Sequence, residues 1–372
     1  MALITTAEQE ALRDVMRAFL GKYSTEADVR SQVDTELGYD QQAWATAAEQ
    51  IGMQALPIPE RFGGAGYGFD ELAVVLEETG RVLFTGPVLP TVVLASSALL
   101  LSGDDRACEH YLPLIAEGST VATLAVSEDS AAWTESDISV SAARAGQDWV
   151  LTGVKRFVLS GAQAGLVVVA ARTDRGVSLF TVETPAQGLT VQSLPVMDLT
   201  RPMASLTFDN CPAVLVGHVG AGWATLTQVF DRAIVALACE QVGAAAAVLE
   251  STVDYLKVRQ QFGRAIGSFQ AVKHRCADML VELESARSAA AYASAAIAAG
   301  AEDASAAASI AKVYCSQAFY HIAAESIQLH GGIGFTWEHP AHLYFKRAKS
   351  SEVLFGSPAA HRERIAELIG MS

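Results

Sequence analysis

The sequence predicts an α+β multi-domain chain in three blocks: helices, then strands, then helices. Apolar residues recur at three-and-four spacing up to about residue 118, and short β-branched runs punctuated by glycine turns follow to about 218. Long alanine-rich helical stretches fill the rest. With 372 residues, 51% of them apolar and 18% charged, the chain can bury a large core and form two to three domains. The expected boundaries are 1–118, 119–220 and 221–372.

The first block opens with an amphipathic helix, TTAEQEALRDVMRAFL, capped by Thr5 or Thr6. It has neither the basic start nor the apolar run of a signal peptide. The helical pattern breaks at PIPERFGGAGYG and near Gly86–Pro87. The most apolar stretch, LPTVVLASSALLLSG, is about 15 residues long, short of the roughly 20 a bilayer needs. A soluble chain without membrane insertion is expected. In the second block VATLAVSE, GQDWVLTGVKRFVL, GLVVVAARTDRGVSLFTVE and LTVQSLPV predict an antiparallel barrel or sandwich. In the third, helices over 222–259, 268–299 and 302–330, then two shorter ones after Pro340, predict a bundle.

The net charge is −15, from 26 Lys and Arg against 41 Asp and Glu, with no long basic run. Such a surface excludes nucleic acid and anionic membrane as partners. The five cysteines (Cys108, Cys211, Cys239, Cys276, Cys315) are scattered and form no CxxC. Reduced thiols in a cytoplasmic protein are expected, with no disulfide framework and no zinc site. His330, His339 and His342 cluster without a metal spacing, and EHPAH reads as a helix start with Pro340 in its first turn. Ser160–Gly161 lacks the GxSxG of a nucleophile elbow.

The chemistry is written in the third block. VRQQFGRAIGSFQ (Val258–Gln270) sets Arg259 and Phe262 at a helix end, before a glycine-containing turn and a new helix. An arginine fork, an aromatic face and an amide suit a pyrophosphate-bearing ligand, and a solvated helix end has the same composition. QLHGGIGF (Gln328–Phe335) ends a long helix in consecutive glycines. Such a turn offers backbone N–H groups to a phosphate or an adenine edge, or is a glycine C-cap.

Together and in order, PERFGGAGYG, the central strands, RQQFGRAIGSFQAVKHRCADM and QLHGGIGFTWEHPAHLYFKRAK resemble the acyl-CoA dehydrogenase family over nearly the whole chain. The likeness is greatest to actinobacterial members that act on steroid or other bulky side-chain CoA esters, some of them two-subunit enzymes. The resemblance implies an N-terminal all-α domain, a central β-barrel and a C-terminal four-helix bundle, assembled as a homotetramer or an α2β2 heterotetramer. It also implies FAD, an acyl-CoA substrate oxidised to the 2-enoyl-CoA, and electron-transfer flavoprotein or a similar acceptor as partner. By the same resemblance Arg259, Phe262 and Gln270 face the pyrophosphate and adenosine of a neighbouring subunit's FAD. Gln328, Gly331 and Gly332 reach the same moiety. Val126 and Ser127 hold the flavin ring, Phe157 takes the usual Trp position beside it, and Ser160 the usual Thr.

The family mechanism needs a carboxylate to take the α-proton. Neither usual position carries one: alignment puts Phe355 at one and Ala233 at the other. Ile234 stands where many relatives hold an Arg, with Arg232 close by, and Trp133 and Thr134 replace the usual Ser and Asp after the flavin strand. Glu240 lies in the apolar run IVALACEQVG, seven residues beyond Ala233 and so on nearly the same helix face. It is the candidate base, displaced by about 10 Å along the axis. A buried ion pair with Arg275 or Arg287, or a polar floor to the acyl pocket, are the alternatives. Glu352 is a weaker candidate, and Glu128 reads as structural. Three functions follow: an active dehydrogenase, with Glu240 or a partner's carboxylate as base; a non-catalytic subunit of a mixed tetramer; and a same-fold oxidase or monooxygenase.

Overall fold

In the computed structural model, which describes residues 6–129, 134–146 and 148–371, Thr6 caps the first helix. Its hydroxyl accepts from the Gln9 amide and the Gln9 side chain accepts from the Thr6 amide, both at 3.1 Å. Thr5 lies outside the described residues. The first helices are α1 (Ala7–Tyr23), α2 (Glu26–Val33), α3 (Gln41–Ile51), α4 (Phe69–Arg81), α5 (Ser96–Leu101) and α6 (Asp105–Ala116). Seven strands follow: β1 (Ala122–Ala125), β2 (Ser141–Ala145), β3 (Asp148–Leu159), β4 (Leu166–Thr173), β5 (Gly176–Glu183), β6 (Leu189–Ser193) and β7 (Met203–Val216). The chain continues through α7 (Gly222–Val258), the two-residue strands β8 (Gln260–Gln261) and β9 (Arg264–Ala265), α8 (Gln270–Ala299), α9 (Ala304–His330), α10 (Ala341–Val353) and α11 (Pro358–Leu368).

These elements pack as two compact units. One contains the residues up to Arg30, Phe69–Phe84 and everything from Ile234 on; the other contains Ser31–Gly68 and Thr85–Ala233.

In the first unit α4 crosses α7 at backbone contact. A Cβ added at Gly80 would lie 2.1 Å from the Glu240 carbonyl oxygen, and one at Gly243 would lie 1.8 Å from that of Glu77. Only glycine permits so close a crossing. Glu78, 1% exposed, is clamped by Arg13 at 2.7 Å and Arg17 at 2.9 Å from α1. Helix α9 packs against α8, α10 and α11. From its buried face Lys312 donates to the carbonyls of Ser351 and Glu352, satisfying the C-terminal end of α10. Helix α7 is long and apolar enough to cross a membrane. In its most apolar 18-residue stretch 89% is buried inside the protein, as a core helix requires.

In the second unit the strands run in the order β1-β4-β2-β3-β7-β5, and a further β4–β5 pairing closes the sheet on itself. The expected antiparallel barrel or sandwich is a closed barrel and is corrected in one respect: β1 pairs with β4 in parallel, and β2 meets β4 in parallel at Ser141 and Arg172. The long excursion through β2 and β3 between β1 and β4 supplies the crossover that parallel pairing demands. Strand β4, LVVVAART, is buried almost throughout, as its unbroken apolar run dictates.

Candidate functional site

Strand β3 builds one side of the site. Its inward residues alternate as Trp149, Leu151 and Lys155, and Lys155 is 0% exposed. A register shift against β7 between Lys155 and Val158 bulges the strand. Within the bulge Phe157 takes φ +55° and stands 57% exposed. A left-handed phenylalanine is strained, so the bulge is holding the ring outward. The neighbouring residues brace the end of β1: the Arg156 amide donates to the Ser127 carbonyl at 2.8 Å and the Lys155 ammonium to the Val126 carbonyl at 2.8 Å. A pocket opens there, lined by Val126, Ser127, Glu128, Thr134, Asp137, Ile138 and Trp223. Ser160, with φ +48°, is buried, and its amide donates to Pro202. Trp133 lies outside the described residues.

Glu128 forms a wall of this pocket and is nonetheless 7% exposed. It accepts from Lys155 at 2.6 Å, from the amides of Ser139 at 2.9 Å and Val140 at 3.0 Å, and from the Ser139 hydroxyl. Burial opposes its charge, but the Lys155 and Ser139 hydrogen bonds outweigh burial and hold the carboxyl below its ordinary value. Burial likewise pushes the Lys155 ammonium down to about 8, with Glu128 pulling the other way. Glu128 is expected from sequence to be structural, whereas Lys155 emerges only with the fold. Its inward parity with Trp149 and Leu151 was the available signal.

The other set of residues lies in the helical unit. Strands β8 and β9 form a hairpin whose two turn residues, Phe262 and Gly263, have φ +53° and +77°, the geometry of a type I′ turn. Phe262 is at the tip, 91% exposed. Arg259 precedes the hairpin on the surface and Gln270 begins α8 on the surface. Gln328, Gly331 and Gly332 are exposed at the end of α9. Gly331 has φ +66° and ψ −140°, near a region open only to glycine. The structure brings the two motifs together: the Tyr255 ring, one turn before Arg259, stacks on His330 at 4.4 Å between centroids. His330 is also 4.3 Å from His339, so the histidines form a packed cluster. Among the described residues no group of three or more His, Cys, Asp or Glu could hold a metal.

The two usual base positions are filled by apolar groups: Ala233 is 0% exposed and Phe355 6%. Phe355 has φ +60°, and its carbonyl accepts from His361 Nε2 at 2.9 Å. Glu240 is ion-paired, with neither arginine expected. Arg347 of α10 holds it at 3.3 Å, whereas Arg275 pairs with Glu325, and Arg287 with Glu77 and Glu284. Sequence spacing could not find Arg347, because the pair joins elements 107 residues apart. Glu352 pairs with Lys349 at 2.5 Å.

Comparison with known proteins fits this geometry. Models of the acyl-CoA dehydrogenase N-terminal, middle and C-terminal domains match residues 6–119, 123–211 and 220–370. The chain belongs to the acyl-CoA dehydrogenase family. It is 36% identical over 358 residues to acyl-CoA dehydrogenase IpdE2 of Mycolicibacterium smegmatis, covering 96% of this chain and 97% of that one. Among solved structures it resembles a steroid acyl-CoA dehydrogenase variant, Tcur3481-Tcur3483, with 32% identity, a TM-score of 0.88 and 98% of each chain covered. It also resembles the ChsE4-ChsE5 complex of Mycobacterium tuberculosis, with 26% identity, a TM-score of 0.90 and 100% of each chain covered.

FAD is the cofactor this fold family binds, and the residues present fit it. An outward aromatic ring beside a strand-end pocket suits a flat ring system, with Ser127 and Trp223 in the pocket wall. An exposed arginine, an exposed ring and two glycines with no heavy atom within 4 Å of an added Cβ suit a nucleotide diphosphate.

Proposed function

We propose that this chain is an FAD-dependent acyl-CoA dehydrogenase that converts an acyl-CoA thioester with a bulky, steroid-like acyl group to its 2-enoyl-CoA. Electrons pass on to electron-transfer flavoprotein or a similar acceptor. The observation that carries the reading is the bulge of β3, which spends strain to hold Phe157 out beside the Ser127 pocket. Val126 and Ser127 would hold the flavin ring with Phe157 and Ser160. Arg259, Phe262, Gln270, Gln328, Gly331 and Gly332 would serve the pyrophosphate and adenosine of the FAD bound by a neighbouring subunit. Their exposure supports a role toward another chain. Bound FAD supplies the acceptor for the β-hydrogen and its electron pair. The five free cysteines suit a cytoplasmic enzyme.

The α-proton must pass to a carboxylate, and Glu240 is this chain's candidate. A base has to be free to accept, and Arg347 already holds the Glu240 carboxylate at 3.3 Å. That favours an α2β2 assembly in which a partner's carboxylate completes the site, as the two-protein names of both structural neighbours also suggest. The test is the visible spectrum of the purified chain, with flavin counted per chain, alone and co-purified with a homologous partner. Anaerobic acyl-CoA is then added. Bleaching of one FAD per site supports the reading. A colourless protein in both preparations overturns it, and oxygen uptake without another acceptor would point to oxidase chemistry.

A further inference from the structure

Two walls of the Ser127 pocket come from segments that no strand pairing joins. One is the segment directly after β1, Val126 to Glu128; the other is the loop carrying Thr134, Asp137 and Ile138. Glu128 links them, since it belongs to the first wall and accepts from Ser139 and Val140, directly after the second. Lys155 fixes Glu128 in turn, and with the same ammonium holds the Val126 carbonyl. Two residues further along β3 is the outward Phe157. A buried ion pair seldom adds stability over an apolar pair of the same volume, so its presence calls for another reason. An apolar pair would fill the space without aligning the Val126 carbonyl or gathering the two amides.

We infer that the Lys155–Glu128 pair is a positioning device for the flavin, setting the separation of the two pocket walls and the orientation of the Val126–Ser127 segment against the ring. The inference rests on the flavin reading given above. Neither residue touches the reacting atoms; both act through the backbone they hold.

The test removes both charges together, so that no lone charge is left buried, in the full chain and its assembly. Lys155→Met combined with Glu128→Gln should remain folded by far-ultraviolet circular dichroism. Its FAD affinity, titrated by flavin fluorescence, should fall about ten- to a hundredfold, the range of a few charged hydrogen bonds. Its visible flavin circular dichroism should also change, which a merely structural pair would not cause. Ser139→Ala, which removes one donor to Glu128 from an exposed position, should weaken FAD several-fold with the same spectral change. If the double variant does not fold, Ser139→Ala decides alone. Wild-type affinity and spectrum in the folded variants would overturn the inference and leave the flavin reading standing. Wild-type protein that takes up no FAD would overturn both, and is told apart by its own titration.

Discussion

Tyr255 stacks on His330 at 4.4 Å and 28° between planes, and its hydroxyl donates to the His330 carbonyl at 3.3 Å. This one contact fixes the glycine turn after α9 to the end of α7, and hence Gly331 to Arg259. A stack of this kind is worth about 0.5–1.5 kcal/mol. Tyr255→Leu should therefore leave the chain folded but lower the FAD retained per chain after gel filtration. Tyr255→Phe, which keeps the ring, should retain nearly the wild-type amount. Equal retention in all three proteins would remove the contact from the cofactor site.

The crossing of α4 and α7 predicts opposite signs for one chemical change. Alanine favours helix over glycine by about 1 kcal/mol. At Gly21 in α1 an added Cβ meets nothing within 4 Å, so Gly21→Ala should stabilise by up to that amount. At Gly243 the Cβ would lie 1.8 Å from the Glu77 carbonyl oxygen, and the helices must part. Gly243→Ala should destabilise by up to about 2 kcal/mol in urea unfolding, the overpacking cost less the gain in propensity. A stabilised Gly243→Ala protein would mean that the helices are not in backbone contact.

The Lys155–Glu128 pair makes stability respond to pH at both ends. In the folded chain Lys155 releases its proton near pH 8, while in the unfolded chain it keeps it to its ordinary 10.5. The unfolded state then binds more protons, so this group makes stability rise with pH from about 8 to 10.5. In the folded chain the ion pair is lost near pH 8, where Lys155 releases its proton, so flavin affinity should fall there. Glu128, held below its ordinary 4.5, contributes stability above that pH and loses it as pH falls through its folded value. Subtracting the urea stability of the Lys155→Met, Glu128→Gln protein at each pH isolates both effects. A flat difference from pH 7 to 10.5 would contradict the burial of a charged lysine.

Glu240 and Arg347 give a prediction that separates structure from catalysis. Arg347→Met removes the guanidinium held against a carboxylate that is 12% exposed and should destabilise by about 3 kcal/mol. Glu240→Gln keeps the shape and removes the charge. If Glu240 takes the α-proton, this variant should keep its FAD and lose dehydrogenation by several orders of magnitude. An unchanged rate would leave it the ion-pair role alone.

The three blocks were legible because each announces itself locally. Apolar spacing predicts helices over 222–259 and 302–330, and the structure has α7 over 222–258 and α9 over 304–330. The hairpin carrying Phe262 was visible only as a glycine turn, since a phenylalanine at positive φ contradicts its own preference and takes that conformation here for the sake of the turn. What spacing could not reveal is pairing between distant residues. Arg347 lies 107 positions from Glu240, Tyr255 lies 75 from His330, and Lys155 lies 27 from Glu128. The parallel β1–β4 pair was missed for the same reason, because adjacent runs in the sequence suggested hairpins.

Gly331 is exposed and an added Cβ would meet nothing, yet its φ of +66° and ψ of −140° are closed to other residues. Every coding change at this position therefore breaks the turn, although surface exposure alone would mark it as free to vary. Gly332 beside it is equally open and lies outside the left-handed region. In a saturation library selected for folded protein, the codon for 332 should fill with substitutions while that for 331 stays empty. Heritable variation on this patch of surface is limited by the path of the backbone, one residue at a time.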